Sequence, residues 1–240
     1  MKKYTLLLFC FLISLGNLQA QENVTPIKIL GVEDMPKAEA FLPMYPLLTD
    51  PLYYNDMIQY QRGKELRDTP RGQQAKEDAS LKVDYFLKRF GEAMGRDLNS
   101  ADYPELATFV YSTFTTVRMS IQSAKDYYKR RRPYSQFQEP SGVPAEELKD
   151  DLTSYPSGHT VRAWAIALAL VGIDPAHQNE ILKVGYELGQ SRVIVGFHYQ
   201  SDVEAARLAG SAAFARLCTE PLWQELFQKA KKEFTEKAAR

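Results

Sequence analysis

Residues 155–172 read YPSGHTVRAWAIALALVG. Pro156 and Ser157 stop one segment and start another, and the run from Val161 onward is apolar on nearly every face. At about half a bilayer span, Ala163–Gly172 is too short to cross a membrane. The stretch predicts a helix from Ser157 to about Val171 and, with what flanks it, an all-α single domain.

Working outward, helical punctuation repeats. Asp68-Thr69-Pro70 sets a capping residue before a proline at an early helical position, Asn99-Ser100-Ala101-Asp102 looks like another start, and Pro133 forces an end near residue 131. Helices are predicted near 52–67, 69–79, 80–95, 102–131, 175–195, 198–217 and 221–238. Residues 134–156 are expected as a loop with a short acidic turn at 145–151. No stretch alternates as a hairpin would.

The chain's beginning has a different composition. Lys2 and Lys3 precede the apolar run YTLLLFCFLISL (4–15), and Leu18-Gln19-Ala20 offers a cleavage site, the pattern of a cleaved secretory signal; the alternative is a membrane anchor. Residues 21–50, with Pro26, Pro36, Pro43 and Pro46, are expected as an extended N-terminal arm, and 51–240 as the folded domain. The full chain is balanced at 30 basic and 30 acidic residues. Loss of Lys2 and Lys3 leaves 28 against 30, a surface with no global attraction to nucleic acid or anionic lipid. Cleavage also removes Cys10, so Cys218 remains without an intramolecular partner; it is expected as a small buried apolar residue. The mature chain is expected to be soluble, without stable membrane insertion.

Three stretches carry chemistry. In the quoted one, free backbone N–H groups at a helix start make a natural anion site. Gly158 lets a ligand approach the backbone, Ser157 adds a hydroxyl, and His159 stands in the first turn. The alternative is that Ser157 only caps the helix and His159 lies on the surface. In Ser191-Arg192-VIVGF-His198-YQS-Asp202, His198 and Asp202 are four apart, which on a helix puts them on one face. A carboxylate on one imidazole nitrogen leaves the other free to attack; the alternative is an ordinary surface pair. Arg192 can turn into the same pocket. In Lys125-DYYKRR-Arg132-Pro133, Lys125 and Arg132 are two turns apart on one expected helical face and match phosphate oxygens. Lys129, Arg130 and Arg131 are expected to be solvated; a basic nucleic-acid-binding run is the alternative. His177, in DPAHQNE, reads as a surface residue.

Together these give K-x6-RP, PSGH and SR-x5-H-x3-D, which is similar to the signature of the phosphatidic acid phosphatase type 2 and vanadium haloperoxidase superfamily, with all eleven fixed positions present. The flanks SYPSGHT and SRVIVGFHYQSDVEAAR, and the upstream RGKELRDTPRGQQAKEDAS (62–80), resemble the class A bacterial non-specific acid phosphatases over about residues 42–217. Thr153 and Val195 depart from that family's usual Gly and Cys, and neither is expected to touch a motif residue. The resemblance implies that His198 accepts a phosphoryl group, Asp202 orients it, and His159 protonates the leaving oxygen and then activates water. Lys125, Arg132, Ser157, the Gly158 N–H and Arg192 would hold phosphate oxygens. It implies phosphate monoesters as substrates, no metal or other cofactor, a periplasmic location and a homo-oligomer. If His159 must be protonated for the first step, the optimum is acidic. Four rivals share parts of the signature: a membrane lipid phosphatase, a vanadate-dependent haloperoxidase, a phosphotransferase, and a phosphate-binding protein without catalysis.

Overall fold

A computed structural model describes residues 24–148 and 151–238; the expected signal at 1–20 lies outside them. The described residues form α-helices and short 3-10 turns with no strand. The helices are α1 (Tyr53–Leu66), α2 (Pro70–Glu77), α3 (Val83–Ala93), α4 (Pro104–Val117), α5 (Gln122–Tyr128), α6 (Pro133–Gln136), α7 (Gly158–Ile173), α8 (Gln178–Ile194), α9 (Gln200–Leu217) and α10 (Pro221–Ala238).

The apolar stretch becomes α7, the helix around which the others pack. α8 and α9 lie along it, and α4 and α10 close the remaining sides. Its Val161, Ala163, Ala165, Ile166, Ala167, Leu170 and Ile173 are all buried. α8 comes in close because Gly185 faces Ala167: a Cβ there would sit 2.5 Å from the alanine's own, well inside contact distance. Gly196, at φ +72°, turns the chain out of α8 in a conformation a side chain would resist, and so starts the segment carrying Phe197 and His198.

Residues 24–50 are irregular, with 3-10 turns at Val32–Asp34 and Ala38–Ala40. They also bury Ile29, Leu30, Met35, Ala38 and Leu42 in the main core. The Tyr128 and Tyr155 hydroxyls donate to the carbonyls of Leu42 and Pro43, which strap this segment across α5 and the loop before α7. Among the described residues no helix is long and apolar enough to cross a membrane.

Three expectations need correction. The single helix over 102–131 is instead α4, a 3-10 turn at Arg118–Ile121, and α5. Hydroxyls of Thr115, Thr116 and Ser120 bond back to carbonyls three or four residues earlier, a pattern that bends helices. Second, α5 ends at Lys129 with φ +46°, so Lys125 and Arg132 do not share a helical face. Arg132 is the extended residue preceding α6 (φ −76°, ψ 153°), as the proline after it requires. Third, α9 begins at Gln200, so His198 lies before the helix and Asp202 in its first turn.

Candidate active site

The chain turn at Gly196 and the N-terminus of α7 face each other across an open cavity of about 1380 Å³. Lys125, Arg132, Gly158, His159, Arg192 and His198 line it. Ser157 and Asp202 are fully buried behind that wall.

His198 has a defined orientation. Its Nδ1 is 3.3 Å from Asp202 Oδ2, and its Nε2 is 3.0 Å from Arg132 Nη1. A guanidinium only donates, so Nε2 carries the lone pair and Nδ1 the proton. The histidine therefore lines the cavity with its Nε2 lone pair accepting from the arginine and its Nδ1 proton on the carboxylate. Asp202 is held in turn by the Ser154 hydroxyl at 2.6 Å, the Tyr199 N–H at 2.9 Å and Arg130 Nη1 at 2.6 Å. Burial alone would raise its carboxyl; Arg130 and the hydrogen bonds from His198 and Ser154 outweigh that and hold it well below the usual range.

Arg130 overturns the expectation of a solvated residue. It is buried, spans Asp56 and Asp202 at 2.7 and 2.6 Å, and stacks 3.9 Å from the Tyr199 ring centroid. The left-handed turn at Lys129 swings it inward, while Lys129 and Arg131 stay exposed, Arg131 beside Asp151.

Opposite His198, His159 is buried against Phe86, and its Nε2 has no hydrogen-bond partner in the protein. Burial, then the positive charges of Arg192 and Arg162, push its imidazole well below the ordinary value. Burial and Arg132 do the same to His198 against the opposing pull of Asp202. Arg192 is buried with Nε and Nη1 unpartnered. Its Nη2 is 3.7 Å from Glu146 Oε2, and burial pushes it down to about 10. Phe197 supports both arginines, with Arg132 and Arg192 centred 4.9 and 4.6 Å from its ring.

Lys125 donates to the carbonyls of Thr153 and Pro156; burial and then Arg132 push its amine well below the usual value. Ser157 acts as the α7 cap, accepting from the Thr160 N–H at 3.4 Å and the Thr160 hydroxyl at 2.9 Å. A Cβ on Gly158 would stand 3.5 Å from Ile121 Cδ1 and 3.8 Å from Lys125 Cε; the protein has room for it, on the cavity side. Ser191 has a different task. Its hydroxyl donates to the buried Asp78 at 2.5 Å and accepts from Arg71, tying α8 to the upstream 62–80 stretch.

Thr153 corrects another expectation. Its carbonyl and Oγ1 accept from Arg132 Nη2 at 3.1 and 3.2 Å, so this departure from the family pattern does touch a motif residue. Val195 touches none of them through its side chain, which packs in a small cluster with Ala75, Tyr134, Ile194 and Phe197. His177 is half-exposed in a 3-10 turn, 2.8 Å from Asp174. Cys218 is half-buried at the edge of the core. Among the described residues no cluster of three His, Cys, Asp or Glu is arranged to hold a metal ion.

Residues 106–224, which contain every one of these cavity groups, match the PAP2 superfamily. A non-specific acid phosphatase of Providencia stuartii is 43% identical over 201 residues, 81% of this chain and 79% of that protein. The chain belongs to the bacterial non-specific acid phosphatases of the PAP2 superfamily. Another such relative, from Salmonella typhimurium, is 36% identical over 90% of this chain and 86% of its own. An acid phosphatase of Zymomonas mobilis is 32% identical over 80% of this chain and 74% of its own. The matched span contains all three motif stretches. Arg130, Asp56, Ser154 and Phe197 are supports that motif reading missed. Arg130 stood in a run of four cations, where nothing in the spacing separates a buried arginine from its solvated neighbours.

Proposed function

We propose that the protein is an exported, broad-specificity acid phosphatase that works without metal through a phosphohistidine at His198. Phosphatase activity follows from the family. The finer mechanism is supported chiefly by one observation: His198 lines the cavity with its Nδ1 proton on Asp202 and its Nε2 lone pair on Arg132, a donor that a bound phosphate would draw away.

In the first step Nε2 attacks phosphorus and the P–O bond to the leaving group breaks. His159 gives its proton to the departing oxygen. Lys125, Arg132, Arg192 and the Gly158 N–H stabilise the equatorial oxygens, and Ser157, expected to join them, caps α7 from behind the wall. In the second step water attacks phosphorus, His159 takes its proton, and the P–N bond breaks to release phosphate. An alcohol in place of water would make the same intermediate a phosphotransfer donor. The low affinity of His198 for protons keeps its lone pair available in acid. His159 must be charged for the first step, and its depressed affinity requires acid or a bound dianion. Both features support an acidic optimum. All of the named groups grip phosphate, which supports broad specificity for the alcohol. The basic start, apolar run and Ala20 site support export to the periplasm, and the family resemblance supports a homo-oligomer.

The test is hydrolysis of p-nitrophenyl phosphate by the mature protein in EDTA at about pH 5–6. Substantial turnover that falls by at least ~10³-fold in His198→Ala, with a labelled phosphohistidine trapped from the native protein, is the expected result. Turnover abolished by EDTA and restored by a divalent cation would overturn the metal-free mechanism.

A further inference from the structure

The cavity extends past the phosphate-gripping groups, and its charge is uneven. Seven cationic side chains line it against three carboxylates. Two of those carboxylates, Glu146 and Glu147, lie on the turn before α7, where Glu146 approaches Arg192. Elsewhere the lining includes Arg118, exposed on the 3-10 turn after α4, and Arg162, one turn into α7. Neither belongs to the three motifs.

Arg162 is held in place. Its guanidinium lies 4.5 Å from the Phe114 ring centroid, Nη1 donates to the Gly158 carbonyl at 3.3 Å, and Nε is buried without a partner. Among the described residues no carboxylate bears on it; burial and the charge of Arg118 together push it down to about 10. Two arginines brought together without an acidic partner indicate a place for an anion. Their position says which anion. Arg162 acts on His159 and Lys125, and Arg118 on Lys125. Phe86 packs against both His159 and Phe114, at 5.6 and 5.3 Å between ring centroids, and Arg162 lies over the far ring of that pair. Through these rings Arg162 sits on the His159 side of the cavity, with Arg118 on the same wall.

We infer that Arg118 and Arg162 form a second anion subsite that receives a carboxylate or phosphate on the leaving group, so that phosphate monoesters bearing a second negative group are favoured substrates. This rests on the reading of His159 as the leaving-group side of the cavity. The groups that grip the transferred phosphate are separate, so the subsite shapes preference among alcohols and leaves the transfer chemistry unchanged.

The test compares glucose 6-phosphate with 6-phosphogluconate, which has the same phosphoester bond and adds a distant carboxylate, and uses p-nitrophenyl phosphate as a control without one. The native enzyme is expected to show kcat/KM several-fold higher, about fivefold or more, for 6-phosphogluconate than for glucose 6-phosphate. Arg118→Gln should remove most of that preference while holding p-nitrophenyl phosphate turnover within about twofold, and Arg118→Glu should invert it. Equal rates on the two sugars in the native enzyme, or a preference that survives Arg118→Glu together with Arg162→Gln, would overturn the subsite. Binding of both sugars to His198→Ala by calorimetry gives a second reading that needs no turnover. A native protein that hydrolyses nothing but still binds 6-phosphogluconate more tightly, through Arg118, would sink the phosphohistidine mechanism and keep the subsite.

Discussion

Two charged regions lie within a few residues of each other and are built on opposite principles. Behind His198, Arg130, Asp56, Asp202, Ser154 and Ser201 satisfy one another: Arg130 reaches both carboxylates, and Ser201 donates to Asp56 at 2.6 Å. In front, Arg192 and His159 are as deeply buried, yet their Nε, Nη1 and Nε2 atoms have no protein partner. A buried group left unsatisfied costs roughly 1–3 kcal/mol, more when charged. The first region puts its charges to work holding geometry. The second keeps them for a ligand, and the fold bears that cost until an anion arrives.

The comparison breaks most visibly at Asp202. Asp202→Asn removes the partner that fixes the His198 tautomer and strands Arg130. We expect kcat to fall by about 10³–10⁴-fold and stability by ~3–5 kcal/mol, measured by steady-state kinetics and denaturant unfolding. Arg192→Met should do the reverse to stability. Without ligand the variant is expected to be at least as stable as the native protein, while kcat/KM falls ~10–10²-fold through loss of charge-assisted hydrogen bonds. A large loss of stability would show that Arg192 belongs to the structural network after all.

The pH dependence sharpens the same contrast. His159 and His198 have lowered proton affinity in the folded state, so the unfolded chain binds protons first. Their contribution to stability is present above the unfolded histidine value near 6.5 and is lost as pH falls below it. A bound dianion favours the charged imidazole and opposes that loss. Sulfate, dianionic throughout, should therefore raise Tm more at about pH 5 than at about pH 8; an equal rise at both would mean that neither histidine faces the anion.

Two smaller effects follow. Gly158→Ala should leave Tm unchanged or slightly higher, because the added Cβ meets only ordinary contacts and alanine is the better helix residue. Set beside Lys125 and Arg162 at the cavity wall, the methyl should crowd a bound phosphate and lower kcat/KM about tenfold or more. Thr153→Gly removes one hydroxyl from Arg132 and should cost only about 0.5–1.5 kcal/mol in stability or phosphate affinity.

By itself the sequence determined the helical class, a helix over residues 157–171, most helix boundaries to within two or three residues, and six of the groups that line the cavity. These are local or compositional properties: an apolar run, capping residues, prolines, and three short motifs whose residue types match phosphate. Only the tertiary structure decided how the groups meet. Lys125 and Arg132 converge through the left-handed turn at Lys129 and the extended residue that Pro133 requires before it, where spacing alone predicts a continuous helix. Arg130 turns inward, beside neighbours of the same charge that stay outside, because Asp56 and Asp202 come from segments more than 70 residues away on either side. Periodicity along a chain reports which face a residue occupies on its own helix. It holds no information about a carboxylate delivered by another helix, and that delivery is what separates a buried arginine from a solvated one.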